Sequence, residues 1–583
     1  MALFWNFLSF FGGLSLFLFG MSLMGEGLEK RAGKRLKGLL GRLTSNRFYG
    51  LLLGIGVTAL IQSSSALTVM VVGFVNSGLM TLGQSIGMIM GANIGTTVTS
   101  WLLSLWQIEG GSFLFQLLKP STFTPILAFV GVVFYLFLKR EKHRYTGLVL
   151  LGFSVLMFGM DAMSGAMKPL SELPEFQRVF LLFSNPLLGV LTGAVMTAIL
   201  QSSSASVGIL QALSVTGAIR VEMAIPLIMG QNIGTCVTSL LASVGAGIHA
   251  KRTAMVHLYF NLIGTVALLI PFLFLRGLGS VAFLQAEAGA VEIALIHTLF
   301  NVISTLFLFP LAGLLERLAV LTVRKREGAN REKTVLLDPR LLASPSLALT
   351  RSRSVSEEMA ALALENVMQS FSLFWKYEEK IFLQIEKNEG EIDRLEDELG
   401  SYLVAIGNRN VGEAENREIS ELLHLIGELE RISDHALNLA EAARSRFLEE
   451  SDLPQVQNEE VEVLFSAVGE IIELATNAFC QNDSALALRV EPLEEVIDSL
   501  RMQIHALYVE RLRKGECRKA SGLAIADLLS NLERIADHCS NIAAHLLTAA
   551  NHQPPHAYLQ YVRTSGQDTF AEWYGYYQKR YQI

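Results

Sequence analysis

The stretch Gln62-Ser63-Ser64-Ser65-Ala66 interrupts a long apolar segment with polar side chains, and it returns unchanged as Gln201-Ser202-Ser203-Ser204-Ala205. The two copies align without a gap at an offset of 139 residues. Over the span from Gly50 to Ser100, 22 of 51 positions are identical to those in the span from Gly189 to Ser239. Identity on this scale indicates that this part of the chain is a tandem duplication.

A second motif recurs at the same offset. Gly91-Ala92-Asn93-Ile94-Gly95-Thr96 returns as Gly230-Gln231-Asn232-Ile233-Gly234-Thr235. Two glycines around an amide are typical of a locally unwound helix, so we expect a helix break whose freed carbonyl groups can bind a cation. Thr97 is replaced by Cys236 in the second copy, which argues against an essential hydroxyl at that position in both halves.

Charge divides the chain of 583 residues into two parts. Residues 1–323 hold 19 Lys/Arg and 11 Asp/Glu, a net charge of +8, whereas residues 324–583 hold 28 and 43, a net charge of −15. A sparsely charged apolar part followed by an acidic, charge-rich part predicts a membrane domain followed by a soluble domain. We therefore expect an all-α protein with a transmembrane domain at 1–323, a linker at 324–350, a helical domain at 351–550 and a tail at 551–583.

The charges beside the two copies indicate their orientation. The stretch after the first apolar segment carries one acid, Glu29, against the basic residues Lys30, Arg31, Lys34, Arg35, Lys37, Arg42 and Arg47. Its counterpart balances Lys168 and Arg178 with Glu172 and Glu175. Basic loops stay on the cytoplasmic side, so the copies, at about 8–140 and 146–316, are expected to form an inverted repeat. The basic residues at 324–326 then place the C-terminal domain in the cytoplasm.

Residues 49–79 and 187–219 are too long for one membrane span and too short for two. Each is broken in the middle by the Gln-Ser-Ser-Ser motif, and the number of crossings between the basic loops requires one segment that does not cross. Both segments are therefore predicted to be re-entrant helical hairpins, with the polar turn buried in protein.

No Asp, Glu, Lys or Arg occurs between Phe48 and Trp106 or within 187–219. One interpretation of the polar motifs is hydrogen bonding between helices, and the other is a midplane site shared by both copies. An anion in such a neutral site needs a cation beside it to compensate for its desolvation. The candidate site residues are Gln62, Ser63, Ser64, Ser65, Asn93, Thr96, Gln201, Ser202, Ser203, Ser204, Asn232 and Thr235.

Two weaker features stay open. Asp161 lies in an apolar span, as a functional acid or as a solvated one. Residues 254–265 and 294–305 form a short repeat that places His257/Asn261 and His297/Asn301 four residues apart. Each pair shares one helix face and is assigned either to packing between helices or to contact with a proton or the substrate.

The paired Gln-Ser-Ser-Ser and Asn-Ile-Gly-Thr motifs resemble the sodium/phosphate cotransporter family, the bacterial relatives of the type II Na⁺/phosphate cotransporters. The resemblance covers about residues 10–310. It implies secondary transport of inorganic phosphate coupled to co-transported Na⁺, with ligands in Gln62–Ser65 and Gln201–Ser204 and also at Asn93, Thr96, Asn232 and Thr235.

The acidic part contains a duplication of its own. Glu430-Arg431-Ile432-Ser433-Asp434-His435-x-x-Asn438 returns 103 residues later as Glu533-Arg534-Ile535-Ala536-Asp537-His538-x-x-Asn541, which predicts two helical bundles in tandem. The acids share one helix face, where they could hold a metal or form salt bridges. The motif resembles the PhoU family, which implies two three-helix bundles and regulation in response to phosphate. It also implies binding of divalent, iron or zinc ions by Glu430, Asp434, Glu533 and Asp537.

These observations predict a multi-pass protein of the bacterial plasma membrane whose partners are phosphate, Na⁺ and the bilayer. The alternatives are a phosphate exporter and a membrane-anchored phosphate-signalling receptor. No P-loop and no nucleophile elbow occurs in the sequence, so an enzyme is not expected. The basic residues of the first part lie in loops and do not indicate nucleic-acid binding. Phosphate-signalling proteins are further expected partners, and a homodimer is kept open as the assembly.

Overall fold

The computed structural model describes residues 2–40, 46–107, 120–169, 184–277, 281–324, 336–409, 411–448, 455–514, 520–551 and 567–583. The chain forms two compact units, Met1–Ser344 and Pro345–Ile583. In the described segments the regular structure is helical, apart from an isolated bridge between Arg220 and Glu287. This confirms the predicted all-α fold class. Residues 325–335 of the predicted linker lie outside the described residues, as do Glu172, Glu175 and Arg178.

The helices of the first unit are α1 (Ala2–Leu40), α2 (Arg47–Ile61), α3 (Ser64–Asn76), α4 (Leu82–Ser104), α5 (Pro120–Phe137), α6 (Glu141–Met167), α7 (Pro186–Leu200), α8 (Ser203–Ser214), α9 (Val221–Ala242), α10 (Ile248–Gly277), α11 (Ala282–Gln285), α12 (Ala290–Leu308) and α13 (Ala312–Thr322). A short 3-10 turn follows α4 at Leu105–Gln107, and another follows α13 at Pro339–Ala343. Six of these helices are long and apolar enough to cross a membrane.

The two predicted hairpins are present as α2–α3 and α7–α8. The arm α2 has 15 residues and α3 has 13, about 20 Å each, which is short of the ~30 Å hydrocarbon thickness. Each hairpin turns at its glutamine, because Gln62 and Gln201 adopt the left-handed conformation with φ of 60° and 54°. The two helical hairpins are thus confirmed, whereas their re-entrance into the membrane and the opposite orientation of the two copies stay predictions.

The expected break at the Asn-Ile-Gly-Thr motifs is wrong. Helix α4 runs without interruption through Gly91 and Gly95, and α9 does the same through the second copy. The glycines serve close packing instead, since a Cβ on Gly91 would collide with the Leu51 carbonyl and one on Gly95 would lie 2.7 Å from Thr58 Cβ. They therefore free no carbonyl groups but let the first arm of the hairpin lie directly on α4.

The segment after the membrane helices packs on the first hairpin. Asp338 is fully buried and accepts hydrogen bonds from Asn76 Nδ2 at 2.7 Å and from Arg340 Nη1 at 2.9 Å. Arg340 Nε in turn donates to the Ala242 carbonyl at 2.5 Å, and Gly247 N donates to Asn76 Oδ1 at 2.9 Å. The ends of α3 and α9 are thereby joined through one buried carboxylate.

The second unit contains α14 (Pro345–Trp375), α15 (Glu379–Gly407), α16 (Glu413–Leu448), α17 (Gln455–Gln481), α18 (Ser484–Ala487), α19 (Val490–Lys514), α20 (Ala520–Asn551) and α21 (Gln567–Arg580). Helices α14, α15 and α16 pack together as a first bundle, and α17, α19 and α20 as a second. The apolar helix Glu459–Gln481 is also long enough to cross a membrane, but its apolar side chains fill this second bundle.

The aromatic C-terminal helix α21 docks on α19. Tyr577 is fully buried there, and the Arg489 guanidinium lies 4.1 Å from the Trp573 ring centroid. Arg580 pairs with Glu470 of α17 at 3.1 Å. The end of the chain is therefore an additional packed element of the second bundle.

Candidate functional site

The two serine-rich turns meet each other. Ser65 Oγ donates to the Gln201 carbonyl at 3.2 Å, although the two residues are 136 positions apart. This contact brings the Gln-Ser-Ser-Ser motif of one copy against that of the other. The sequence predicted a site shared by both copies, and the structure places these two motifs side by side.

Within each turn the serines have different positions. Ser63 and Ser202 are the N-caps of α3 and α8, and their hydroxyls accept from Ala66 N and Ala205 N at 3.2 Å. The helices begin at the next residues, Ser64 and Ser203, both of which are buried. A helix N-terminus presents unpaired backbone N–H groups, which bind anions well. Each hairpin therefore provides an N-terminus suited to an anion.

The glutamines of the two turns differ in their contacts. Gln62 is buried, its Oε1 accepts from Thr99 Oγ1 at 2.8 Å, and its Nε2 donates to the Ala59 carbonyl at 2.6 Å. Gln201 is exposed. Thr238, the residue equivalent to Thr99, donates its hydroxyl to the Thr235 carbonyl at 2.8 Å instead. The two halves are thus equivalent in backbone but not in side-chain contacts.

The residues of the second motif line the buried faces of α4 and α9. Thr96 and Thr235 donate their hydroxyl protons to carbonyls four residues earlier, both at 2.9 Å. Asn93 Nδ2 reaches across to Asn261 Oδ1 at 3.2 Å, whereas Asn232 Nδ2 donates to the Ile228 carbonyl of its own helix at 2.9 Å. The amide of Asn93 therefore connects to a neighbouring helix, as does Gln231, whose Nε2 donates to the Ser206 carbonyl of α8 at 3.2 Å.

The histidine pairs tie α10 and α12 to the motif helices. His257 Nδ1 lies 3.0 Å from Ser239 Oγ, and His297 Nδ1 lies 2.8 Å from Ser100 Oγ. Ser100 and Ser239 are equivalent positions of the duplication, so the two contacts form a symmetric pair. Asp161, by contrast, is exposed on α6 and lies outside this buried network.

Several residues of the network were missed from the sequence. Thr99 contacts Gln62, Ser100 contacts His297, and Gln211 Nε2 donates to the carbonyls of Ser100 and Ala290 at 3.0 and 2.9 Å. A signal for two of them was available, because Val-Thr-Ser follows the second motif identically in both copies. Gln211 has no counterpart at the equivalent position, Val72, and no sequence signal points to it.

The first predicted pair of metal ligands lies within a group of carboxylates. Glu430 and Asp434 of α16 face Glu389, Asp393 and Glu396 of α15, and we name these five the first carboxylate face. Burial and then the charge of Asp434 raise the pKa of both Glu430 and Glu389 above the usual range. A surplus of closely spaced carboxylates fits a hard cation, which would compensate for their mutual repulsion.

The second pair has a different environment. Glu533 of α20 lies 3.5 Å from Arg501 Nη2, and the same guanidinium is 2.9 Å from Asp498 on α19. We name Asp498, Glu533 and Asp537 the second carboxylate face. An arginine already supplies the positive charge that a metal would bring, so this face fits a metal less well than the first.

The motif histidines join the two bundles. His538 Nδ1 lies 2.8 Å from Glu428 Oε2, and His435 Nδ1 lies 2.9 Å from Asn531 Oδ1, with the two rings stacked at 5.6 Å. Glu428 and Asn531 are again equivalent positions, 103 residues apart. Among the described residues, the group of three or more carboxylates whose oxygens all lie within 4.8 Å of one another is Glu491, Glu494 and Glu495, and neither carboxylate face is that closely spaced. None of the four predicted ligands belongs to it.

Two helical hairpins that recur in a duplicated unit of long apolar helices, followed by two helical bundles, are the architecture of a membrane transporter with an added helical domain. The chain belongs to the Na⁺/Pi-cotransporter family, whose model matches residues 16–165 and 173–296, and the PhoU domain model matches residues 356–443 and 461–546. This confirms the family that the motifs indicated, and it makes the chain a multi-pass membrane protein of a phosphate transporter family.

Three relatives show how far the similarity extends. YjbB of Escherichia coli (strain K12), a protein named for inorganic phosphate export, is 24% identical over 541 residues, 92% of this chain and 96% of YjbB. The uncharacterized protein YqeW of Bacillus subtilis (strain 168) is 33% identical over 317 residues, 54% of this chain and 98% of YqeW. The sodium-dependent phosphate transport protein 2A of Rattus norvegicus is 32% identical over 149 residues, 25% of this chain and 23% of that protein.

Proposed function

We propose that the protein transports inorganic phosphate across the bacterial plasma membrane together with Na⁺, at a site between the two serine-rich turns. The contact that carries this proposal is the hydrogen bond from Ser65 Oγ to the Gln201 carbonyl, which joins the motifs of both copies. A site at the interface between the two halves of an inverted repeat is typical of transporters that work by alternating access.

The chemistry of the turns suits phosphate and Na⁺ together. The N-termini of α3 and α8 provide backbone N–H groups for the anion, and Ser64 and Ser203 provide hydroxyls. The motif residues are uncharged, so the protein itself does not neutralise phosphate there. Co-bound Na⁺ would supply the missing charge, in agreement with the sodium dependence named for the rat relative.

Export is the second candidate, and a specific observation favours it. YjbB, which carries the name of an export protein, is similar to this chain over both the membrane part and the PhoU part. In this alternative the cytoplasmic PhoU-like domain senses excess internal phosphate and releases flux outward. The two candidates use the same site and differ in the direction of net transport.

For the second unit we propose a regulatory role that depends on metal. The first carboxylate face, with Glu430 and Asp434, would hold a divalent or iron or zinc ion, as its surplus of negative charge suggests. The metal would rigidify the packing of α15 on α16. Transport itself would not need this metal, because the polar motifs of the membrane unit lie entirely within Met1–Ser344.

Transport into proteoliposomes tests the membrane site. Ser64→Ala and Ser203→Ala should each lower the apparent phosphate affinity by about tenfold to a hundredfold, because each removes a hydroxyl ligand from a desolvated site. Ser77→Ala is the matched control, since Ser77 is buried in the same hairpin but its hydroxyl only caps α3 by donating to the Phe74 carbonyl at 3.3 Å.

Uptake and efflux of labelled phosphate are measured with the Na⁺ gradient directed inward, directed outward and absent. Normal kinetics in both variants would make the turns structural rather than ligand-binding. Flux that is indifferent to the Na⁺ gradient would reject sodium coupling, and the preferred direction in oriented vesicles decides between uptake and export.

A further inference from the structure

The asparagines around the motif helices have a fixed amide orientation. Asn232, Asn261 and Asn301 each donate Nδ2 to the carbonyl four residues earlier, at 2.9, 3.1 and 2.9 Å. Exchanging the nitrogen and oxygen would set two acceptors against each other, so the observed orientation is the one that the contacts allow. Each Oδ1 consequently points away from the backbone of its own helix.

The amide oxygens of the equivalent residues Asn261 and Asn301 have different hydrogen-bond partners. Asn261 Oδ1 on α10 accepts from Asn93 Nδ2 at 3.2 Å. The duplications relate Asn93 to Asn232 and Asn261 to Asn301, and the symmetric histidine–serine contacts follow the same relation. Yet Asn232 donates within its own helix, and Asn301 Oδ1, fully buried, has no hydrogen-bond partner among the described residues.

Two more oxygens on the same helix share this property. Ser304 Oγ and Thr305 Oγ1 are buried on α12 and make no hydrogen bond to any described residue. They follow Asn301 by three and four positions, which places all three on one helix face. Some buried threonines in this unit, such as Thr96 and Thr235, donate to the preceding turn of their own helix, and others, such as Thr58 and Thr197, are single unpaired hydroxyls. Leaving buried oxygens unpaired is costly, so three on one face indicate a ligand.

The equivalent face of α10 is less rich in free oxygen. Asn261 is already paired, and Gly264 stands where α12 has Ser304, so only Thr265 Oγ1 is left unpaired there. The group of three unpaired oxygens is therefore specific to α12 and is not shared by both copies of the short repeat at 254–265 and 294–305.

We propose that Asn301 Oδ1, Ser304 Oγ and Thr305 Oγ1, named here the α12 oxygen face, bind a monovalent cation, with Na⁺ the ion expected. Carbonyl and hydroxyl oxygens are ligands for hard cations. The face contains no carboxylate, so the larger desolvation penalty of a divalent ion would not be compensated, whereas that of Na⁺ is smaller. This inference rests on the proposed sodium coupling and adds a cation site outside the four polar motifs.

The site has a direct connection to the first motif helix. His297, one turn before Asn301, lies 2.8 Å from Ser100 Oγ on α4, the helix that also carries Asn93 and Thr96. A cation on the α12 oxygen face would therefore stabilise the position of α12 against α4. Cation binding and phosphate binding are thereby coupled through one buried contact.

Sodium binding to the purified full-length protein tests the inference without phosphate. Thermal unfolding in detergent is followed as NaCl replaces choline chloride at constant ionic strength, with KCl as a further titration. The wild type should be stabilised by Na⁺, and Asn301→Ala and Thr305→Val should each raise the half-saturating Na⁺ concentration by about tenfold or more.

Thr298→Val is the matched control on the same helix. Its hydroxyl donates to the Ala294 carbonyl at 2.8 Å and accepts from Trp101 Nε1 at 2.9 Å, so the variant should keep the Na⁺ dependence of the wild type. Thr305→Val preserves shape and removes an unpaired hydroxyl, so it should fold even if Asn301→Ala does not.

The outcomes separate this proposal from the transport proposal. A wild type without Na⁺-dependent stabilisation, or variants that retain it fully, would overturn the cation site. Sodium-driven phosphate uptake that survives Thr305→Val unchanged would also overturn it while leaving the proposed function intact. If both variants lose Na⁺ binding, the cation site is supported. If the wild type also transports no phosphate, the proposed function is rejected and the cation site is not.

Discussion

The protein contains two internal duplications, and they have diverged to different extents. In the membrane unit both glutamines adopt the left-handed conformation, the first serine of each motif caps a helix, and both hairpins begin at equivalent residues, Arg47 and Pro186. In the second unit the repeated Glu-x-x-x-Asp faces differ, because Arg501 neutralises one and five carboxylates crowd the other.

The position of each site relative to its duplication explains this difference. The serine-rich turns meet at the boundary between the copies, through Ser65 and Gln201, so a change in either copy would alter the shared site. Each carboxylate face lies inside a single bundle, between α15 and α16 or between α19 and α20. One face can therefore lose its cation-binding character without affecting the other, whereas the turns have to change together.

The largest expected effect breaks the packing that holds both hairpins. A Cβ on Gly91 collides with the Leu51 carbonyl and one on Gly230 with the Val190 carbonyl, and neither backbone can move independently of its helix. Gly91→Val and Gly230→Val should each destabilise the membrane unit by at least about 3 kcal/mol and eliminate monodisperse protein in size-exclusion chromatography.

Gly56→Val provides the control for these variants. Gly56 lies on the same hairpin arm as the Leu51 carbonyl, and a Cβ there meets no atom within 4 Å. This variant should be produced as the wild type is. If only one of the two motif glycines proved essential, the two halves would not be packed equivalently and the comparison would fail.

The architecture of the membrane unit could be predicted because its signals are local. A polar motif in the middle of an apolar segment of that length indicates a hairpin, and an ungapped repeat indicates that the hairpin occurs twice. The conformation of Asn-Ile-Gly-Thr could not be predicted correctly, because glycine serves both for backbone freedom and for close packing. Only the position of α2 against α4 shows that Gly91 and Gly95 serve the second purpose.

The long-range contacts were beyond the sequence for a related reason. Asn261 was identified as polar, but nothing in its own helix shows that it faces Asn93 or that Asn301 faces no donor. The two carboxylate faces likewise looked equivalent, because Arg501 lies 32 residues before Glu533 and outside the repeated motif. Both differences depend on which helices become neighbours.

The two carboxylate faces should differ in how much metal they bind. Glu430→Gln combined with Asp434→Asn should remove most of the metal bound by the purified protein, since a carboxylate-to-amide change keeps shape and removes charge. The matching double variant Glu533→Gln with Asp537→Asn should change metal content far less. Elemental analysis of all three proteins, normalised to protein concentration, measures the difference.

Arg501→Gln extends this experiment in the opposite direction. Without the guanidinium, Asp498, Glu533 and Asp537 lose the cation that now compensates for their charge, and the second face should gain metal affinity. Equal loss of metal from the two double variants would show that Arg501 does not distinguish the faces. If the wild type contains no metal, the first carboxylate face is a solvated group of acids and does not bind metal.

The smallest expected effect concerns pH and the metal-free protein. Burial and the charge of Asp434 raise the pKa of Glu389 and Glu430, so the folded state holds more protons than the unfolded state above the usual glutamate range. The free energy of unfolding contributed by these groups therefore falls as pH rises from about 4.5 through the raised values. Asp434→Asn removes the repelling charge and should stabilise the chelator-treated protein at pH 7 by on the order of 0.5 kcal/mol, with the gain shrinking towards pH 4.

Asp498→Asn on the other face removes a partner of Arg501 and should instead lower stability, by up to about 1 kcal/mol. Thermal unfolding of both variants across this pH range measures the sign directly. Two shifts of the same sign would mean that the faces do not differ in electrostatic character, and the divergence of the second duplication would then lie elsewhere than in Arg501.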